Sequence, residues 1–153
     1  GSSPSGKIGL INKTDHLFKN FSRELLKKNP KFKIYGSNYN TPDKTTIRDY
    51  MHVSDLSIVH LHVLNKISQI NKSVILNCGY GKGISVLQVA NEFKKHSNKN
   101  VEILIKKRRK GDMEKIISAN KKILKLIKWR SKYNNLKFLV ESSILWEKKL
   151  SRT

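Results

Sequence analysis

The stretch YGSNYNTPDKTTIRDYMHVSDL, residues 35–56, decides how this chain is read. Lys33, Ile34 and Tyr35 give way to Gly36, Ser37, Asn38, Asn40, Thr41, Pro42 and Asp43, a dense set of turn formers. A strand followed by a long loop is the expected structure. Apolar spacing resumes at Ile47, Tyr50 and Val53 around Arg48 and Asp49, and Ser54 stands where a helix N-cap would precede Asp55 and Leu56. Arg48 therefore belongs to a short extended element between loop and helix. A guanidinium held there can fork hydrogen bonds onto a phosphate, each worth about 1.5–3 kcal/mol where water is excluded. Pairing with Asp49 or Asp55 is the competing use of the same side chain.

Strands and helices alternate on either side of this stretch. Leu17, Phe18, Phe21, Leu25 and Leu26 recur at helical spacing, with Asp15 as the cap and Asn29 and Pro30 as the stop. Leu56, Val59, His60, Val63, Leu64 and Ile67 predict a second amphipathic helix, and Val74, Ile75 and Leu76 read as a short buried strand. Ser85 with Gln88 three residues on is a capping-box pattern ahead of Val86, Leu87, Val89, Ala90 and Phe93. A strand over 101–105, a basic helix over 121–127 and a last helix over 136–150 complete the order. Leu139, Val140, Ser143 and Ile144 share one face of that last helix. The fold class is mixed α/β, in one unit over residues 1–153.

The 153 residues carry 32 Lys and Arg against 11 Asp and Glu, a formal net charge of +21. Such a balance invites nucleic acid or an anionic membrane as a partner, and the basic amphipathic run over 121–129 keeps that alternative open. The makeup of the charge argues against both. Only six of the cations are Arg, and the Lys are scattered among Asn and Ile, whereas specific phosphate and base recognition leans on clustered Arg. Cys78 is the only cysteine, so no internal disulfide forms, and no apolar run approaches the roughly 20 residues that span a bilayer. A cytoplasmic location is expected. The opening GSSPSG has neither an initiator Met nor a signal-peptide pattern and reads as an expression scar or a cut end.

Gly79, Gly81 and Gly83 invite a phosphate-binding reading, but neither the dinucleotide fingerprint nor the P-loop has this spacing. A strand-to-helix turn is the expected role. His52, His60 and His62 have no carboxylate or cysteine at ligand spacing, so no metal is expected.

Residues 35–56 closely resemble one segment of the UDP-glucose 4-epimerases, and two further segments extend the resemblance. Residues 108–112, Arg-Arg-Lys-Gly-Asp, match the family's Arg-Arg-x-Gly-Asp, and residues 77–86 match its Asn-x-Gly-x-Gly-x-Gly-x-Ser-Val. The resemblance implies the C-terminal substrate-binding part of an extended short-chain dehydrogenase/reductase of Rossmann type, lacking the N-terminal NAD-binding core. It implies that Arg48 and Arg109 hold the pyrophosphate of a UDP-sugar, that Asp112 takes a ribose hydroxyl and that Tyr35 lies beside the uracil. His16 and Leu17 correspond to a helix start that approaches the diphosphate. The chain departs from the pattern at Lys19, near where the family has Pro, and at Lys44, where it has Gly. The activity implied is interconversion of UDP-glucose and UDP-galactose by oxidation and re-reduction at C4, with NAD held by the absent domain and a homodimer when full length. Another nucleotide-sugar epimerase or dehydratase of the same superfamily is the alternative. Tyr133 and Lys137 show the spacing of the family's proton-transfer pair. With five Tyr and 26 Lys about one such pair arises by chance, so no catalytic residue is assigned to this chain.

Overall fold

A computed structural model describes residues 1–12 and 15–152. The order is α1 (Leu17–Leu26), β1 (Lys31–Tyr35), β2 (Ile47–Arg48), α2 (Val53–Leu64), β3 (Ile84–Ser85), α3 (Val86–Lys95), β4 (Glu102–Lys106), β5 (Lys115–Ile116), α4 (Lys121–Ile127) and α5 (Leu136–Leu150). Two small sheets form. In the first, β1 and β4 run parallel, from Lys31 beside Glu102 to Tyr35 beside Lys106. In the second, β2 is central, antiparallel to β3 and parallel to β5.

Alternation along β1 sends Phe32 and Ile34 into the core and leaves Lys31, Lys33 and Tyr35 on the opposite face. Phe21 of α1 stacks on Phe32 with centroids 4.2 Å apart, and both meet Phe93 of α3 edge-on. Val140 and Ile144 of α5 close this cluster, so the face expected on the last helix is the one it buries. A second, smaller cluster joins Val59 of α2 to Ile123 and Ile127 of α4, with Trp129 beyond. The capping box at α3 is complete: Gln88 N–H donates to Ser85 Oγ at 3.0 Å, and Ser85 N–H donates to Gln88 Oε1 at 2.8 Å. Ser85 Oγ also donates to Asp43, tying the cap to the loop after β1. Burial alone would raise the Asp43 carboxyl, but hydrogen bonds from Ser85 and Thr45 outweigh it and hold it below the usual range.

Several expectations are corrected. Asp15 does not cap α1; the helix starts one residue later, with His16 at the N-cap and no side-chain bond there. Ser54 lies inside α2, and His52 caps it by accepting from Ser54 N–H at 3.1 Å. Val74, Ile75 and Leu76 are neither buried nor a strand: Ile75 is 86% exposed. Three apolar residues cannot make a strand without a neighbour to pair, and none lies beside them among the described residues. His60 is exposed rather than packed, and Leu56, Leu61 and Leu64 leave most of the apolar surface of α2 uncovered. Lys44 takes a left-handed φ of 62°, the conformation that a Gly in that position would adopt freely. Lys19, where the resembled pattern has Pro, is buried in an ion pair with Glu147 of α5 at 2.8 Å and also donates to Leu10 O.

The glycine-rich turn is a structural joint. Asp49 accepts from the N–H groups of Tyr80 at 3.1 Å, Gly81 at 2.8 Å and Ser118 at 3.2 Å, so the turn's amides already face a carboxylate. A Cβ on Gly79 would stand 2.5 Å from Ser118 Cβ and 2.6 Å from Asp49 Oδ2. Gly79→Ala is accordingly expected to lose about 1–3 kcal/mol in urea unfolding; an unchanged midpoint would show that the turn can spread without cost.

Candidate functional site

The two segments singled out in the sequence meet because β2 pairs with β5. Arg48 lies beside Ile116 in that parallel register, which draws the loop carrying Arg108, Arg109 and Asp112 over β2. Arg48 Nη2 lies 3.5 Å from Asp112 Oδ1, and its Nη1 donates to Ile47 O at 2.8 Å. Asn40 N–H donates to Glu114 Oε1 at 3.1 Å, which ties the loop after β1 to the same region. Arg109 sits 3.9 Å above the Tyr35 ring, and Arg108 sits 4.0 Å above Tyr39.

These residues line a cleft of about 570 Å³ between α1, β1 and β2. Tyr35, Arg48, Arg109, Asp112 and Leu17 all open onto it. His16 does not: it is exposed and outside the lining, because the first turn of α1 presents Leu17 instead. Arg48 pairs with Asp112 rather than with Asp49, which is held by three amides, or Asp55, which is fully buried.

The present partners of both arginines are weak enough to exchange. A partly exposed ion pair such as Arg48 with Asp112 is worth about 0–1 kcal/mol, and a cation over an exposed ring about 0.5–1 kcal/mol. Charge-assisted contacts to a bound phosphate are worth about 1.5–3 kcal/mol each, so a diphosphate entering the cleft outbids both. Asp112, acceptor-only when ionised, is then free for a hydroxyl.

Tyr50, Thr46 and Lys33 also line the cleft and were not singled out in the sequence. The signal was available for Tyr50, which stands two residues after Arg48 and so on the same side of an extended run. Burial pushes the Tyr50 phenol up to about 12 against the opposing charge of Arg48, so it stays a neutral hydrogen-bonding group. Tyr133 and Lys137 are not at the cleft. Tyr133 stacks on Phe138, and Lys137 lies on the surface of α5, 3.9 Å from Glu141. Among the described residues no group of His, Cys, Asp and Glu could hold a metal.

No family model matches the chain. Over its whole length, however, it is 34% identical to the UDP-glucose 4-epimerase of Azospirillum brasilense, covering 44% of that protein. Its fold superimposes on a UDP-glucose 4-epimerase from Stenotrophomonas maltophila, solved with bound NAD and formylated UDP-arabinopyranose. That match has a TM-score of 0.89 and 27% identity, over 97% of this chain and 44% of the other. The chain corresponds to the C-terminal part of the UDP-glucose 4-epimerases. It spans less than half the length of these relatives. The epimerase of Bifidobacterium longum, in complex with NAD+ and UDP, matches with a TM-score of 0.83 and 29% identity, over 97% of this chain and 44% of the other. The mixed α/β fold is thus that of the C-terminal portion of an extended short-chain dehydrogenase/reductase. Both of these epimerase structures are named with bound NAD; in the glycine-rich turn of this chain the Tyr80 and Gly81 amides are taken by Asp49. No helix among the described residues is long and apolar enough to cross a membrane.

Proposed function

We propose that this chain is the substrate-holding part of a cytoplasmic, homodimeric UDP-glucose 4-epimerase and has no epimerase activity by itself. In the complete protein NAD supplies hydride exchange at C4 of the sugar and is held by the N-terminal part that the relatives carry. This chain's residues bind and orient. Arg48 and Arg109, from separate loops, grip the diphosphate; Asp112 accepts from a ribose hydroxyl; Tyr35 flanks the base; Leu17 closes the cleft from α1. Binding concentrated at the diphosphate suits an epimerase, because the hexose must turn over while the intermediate stays bound, and remote contacts supply the energy that holds it. The observation that carries this reading is the convergence of Arg48, Arg109, Asp112 and Tyr35 on one cleft from segments 60 or so residues apart.

The uncovered apolar surface of α2 and the exposed run at Val74 and Ile75, which pairs with no strand among the described residues, support a division of labour in which the upstream part packs here. Nucleic acid is not a partner in this reading; the high charge lies on solvated Lys.

Titrating the 15N-labelled chain with UDP tests the proposal. Amide shifts should move at Tyr35, Gly36, Gly111 and Asp112 and stay still at the Lys121–Ile127 helix. Shifts absent from the cleft at millimolar UDP would overturn it.

A further inference from the structure

His52 occupies the N-cap of α2 on extended backbone, and its Nδ1 accepts from Ser54 N–H at 3.1 Å. An imidazole nitrogen accepts only while it carries no proton, so the ring is neutral and holds its hydrogen at Nε2. The residues that ordinarily cap helices, Ser, Thr, Asp and Asn, keep their acceptor throughout the neutral range. A histidine gives it up when the second nitrogen is protonated.

The surroundings offer the charged ring no other partner. His52 is 3% exposed, and its Nε2 is buried without a hydrogen-bond partner among the described residues. Tyr133, in the link before α5, and Phe138 of α5 lie tilted against the ring, with centroids 5.1 and 5.2 Å away. Lys132 adds a positive charge 5.6 Å over the Tyr133 ring, and the Gly1 amino group acts on the imidazole from the N-terminal segment. Asp55 opposes them, but its carboxylate already takes Tyr80 Oη, Lys132 N–H and Tyr133 N–H. Burial, and after it the bond to Asp55, pushes the Tyr80 phenol up and keeps it neutral. For His52, burial and then the Gly1 amino group outweigh the pull of Asp55 and lower the ring below its ordinary value.

We propose that His52 is a proton-sensitive latch: the neutral ring seats the first turn of α2 against the link between α4 and α5, and protonation releases it. Protonation strips Ser54 N–H of its acceptor and leaves two ring N–H groups facing no acceptor of their own. The latch reaches the glycine-rich turn as well, because Tyr80 Oη accepts from His52 N–H at 3.1 Å. It also governs how α2 presents Leu56, Leu61 and Leu64, which lie uncovered. Once released, the ring returns to an ordinary value near 6.5. The released ring therefore binds protons more readily than the latched one, and opening grows as pH falls below about 6.5.

Ring-nitrogen shifts and amide exchange of the 15N-labelled 153-residue chain, recorded between about pH 7.5 and 5.5, test the latch. At the upper pH the His52 ring should show a bare Nδ1 and a protonated Nε2; a protonated Nδ1 overturns the proposal. Opening at the Ser54 amide, corrected for its intrinsic exchange rate, should rise by up to about tenfold toward the lower pH, the limit for one group that titrates near 6.5 when released. His52→Asn keeps an accepting oxygen at the N-cap that does not titrate, so its Ser54 opening should hold within about twofold over the same range. A rise below about twofold in the unsubstituted chain, or an equal rise in His52→Asn, overturns the latch. Should the variant fail to fold, the ring shifts and the Ser54 exchange of the unsubstituted chain decide by themselves.

Discussion

Asp55→Ala is expected to destabilise the chain by about 3–5 kcal/mol, a large share of the roughly 5–15 kcal/mol that holds a domain together. Asp55 is fully buried, and three donors converge on it: Tyr80 Oη at 2.6 Å, Lys132 N–H at 3.0 Å and Tyr133 N–H at 2.9 Å. Tyr80 Oη in turn accepts from His52 N–H at 3.1 Å, so one carboxylate fixes the start of α2, the glycine-rich turn and the link between α4 and α5. Alanine would leave three partly buried donors without their shared acceptor, at up to about 1–3 kcal/mol for each group left unpaired. Asp55→Asn separates charge from shape. Its carbonyl can stand at Oδ2 and serve Tyr80 and Tyr133, but its NH2 then faces Lys132 N–H, so about half the loss should remain. Urea unfolding followed by Trp fluorescence reads both changes, since Tyr80 stacks near Trp129 with centroids 6.3 Å apart. A cost below about 1 kcal/mol for Asp55→Ala would show that the loop is held by other contacts.

Asp55 also shows where sequence reading stops. The helices α1, α3 and α5 and the strands β1 and β4 were legible because each carries its own periodicity and finds its packing partner within the chain. Ser85 and Gln88 were legible because a capping box is local. Asp49 and Asp55 have no such local signature: their donors lie about 25 to 78 positions away, and no spacing rule connects a carboxylate to distant backbone amides. The apolar triplet at Val74 misled for the opposite reason. Its composition is that of a strand, but a strand is a property of two segments, and the second is not among the described residues. At the cleft, Arg48, Arg109, Asp112 and Tyr35 were singled out through a family pattern. Their meeting depends on β2 and β5, two residues each, which are too short for any periodicity to announce.

Arg48→Ala and Arg109→Ala should each weaken UDP binding by about 1.5–3 kcal/mol, or roughly 10- to 150-fold, if each guanidinium exchanges its present partner for a phosphate. The two substitutions differ in what they leave behind. Removing Arg48 frees Asp112 from its only ion pair among the described residues, placing an uncompensated carboxylate beside the incoming anion, so this variant should be the weaker binder. Removing Arg109 uncovers the Tyr35 ring, which keeps its stacking face for the base and recovers part of the loss. Uridine, lacking phosphate, should bind both variants within about twofold of the unsubstituted chain, because neither arginine is assigned to the base or ribose. Arg108→Ala is the internal control. Arg108 belongs to the same basic loop, stacks on Tyr39 and donates to Asp112 O at 3.3 Å, but it lies outside the cleft lining, so its loss changes net charge equally while removing no guanidinium that faces the cleft. If Arg108→Ala weakened UDP as much as the other two, attraction to the overall charge of +21 would account for binding, and a steep salt dependence would follow. A loss confined to Arg48 and Arg109, and to ligands that carry phosphate, is the result that two placed guanidinium groups produce and diffuse charge does not.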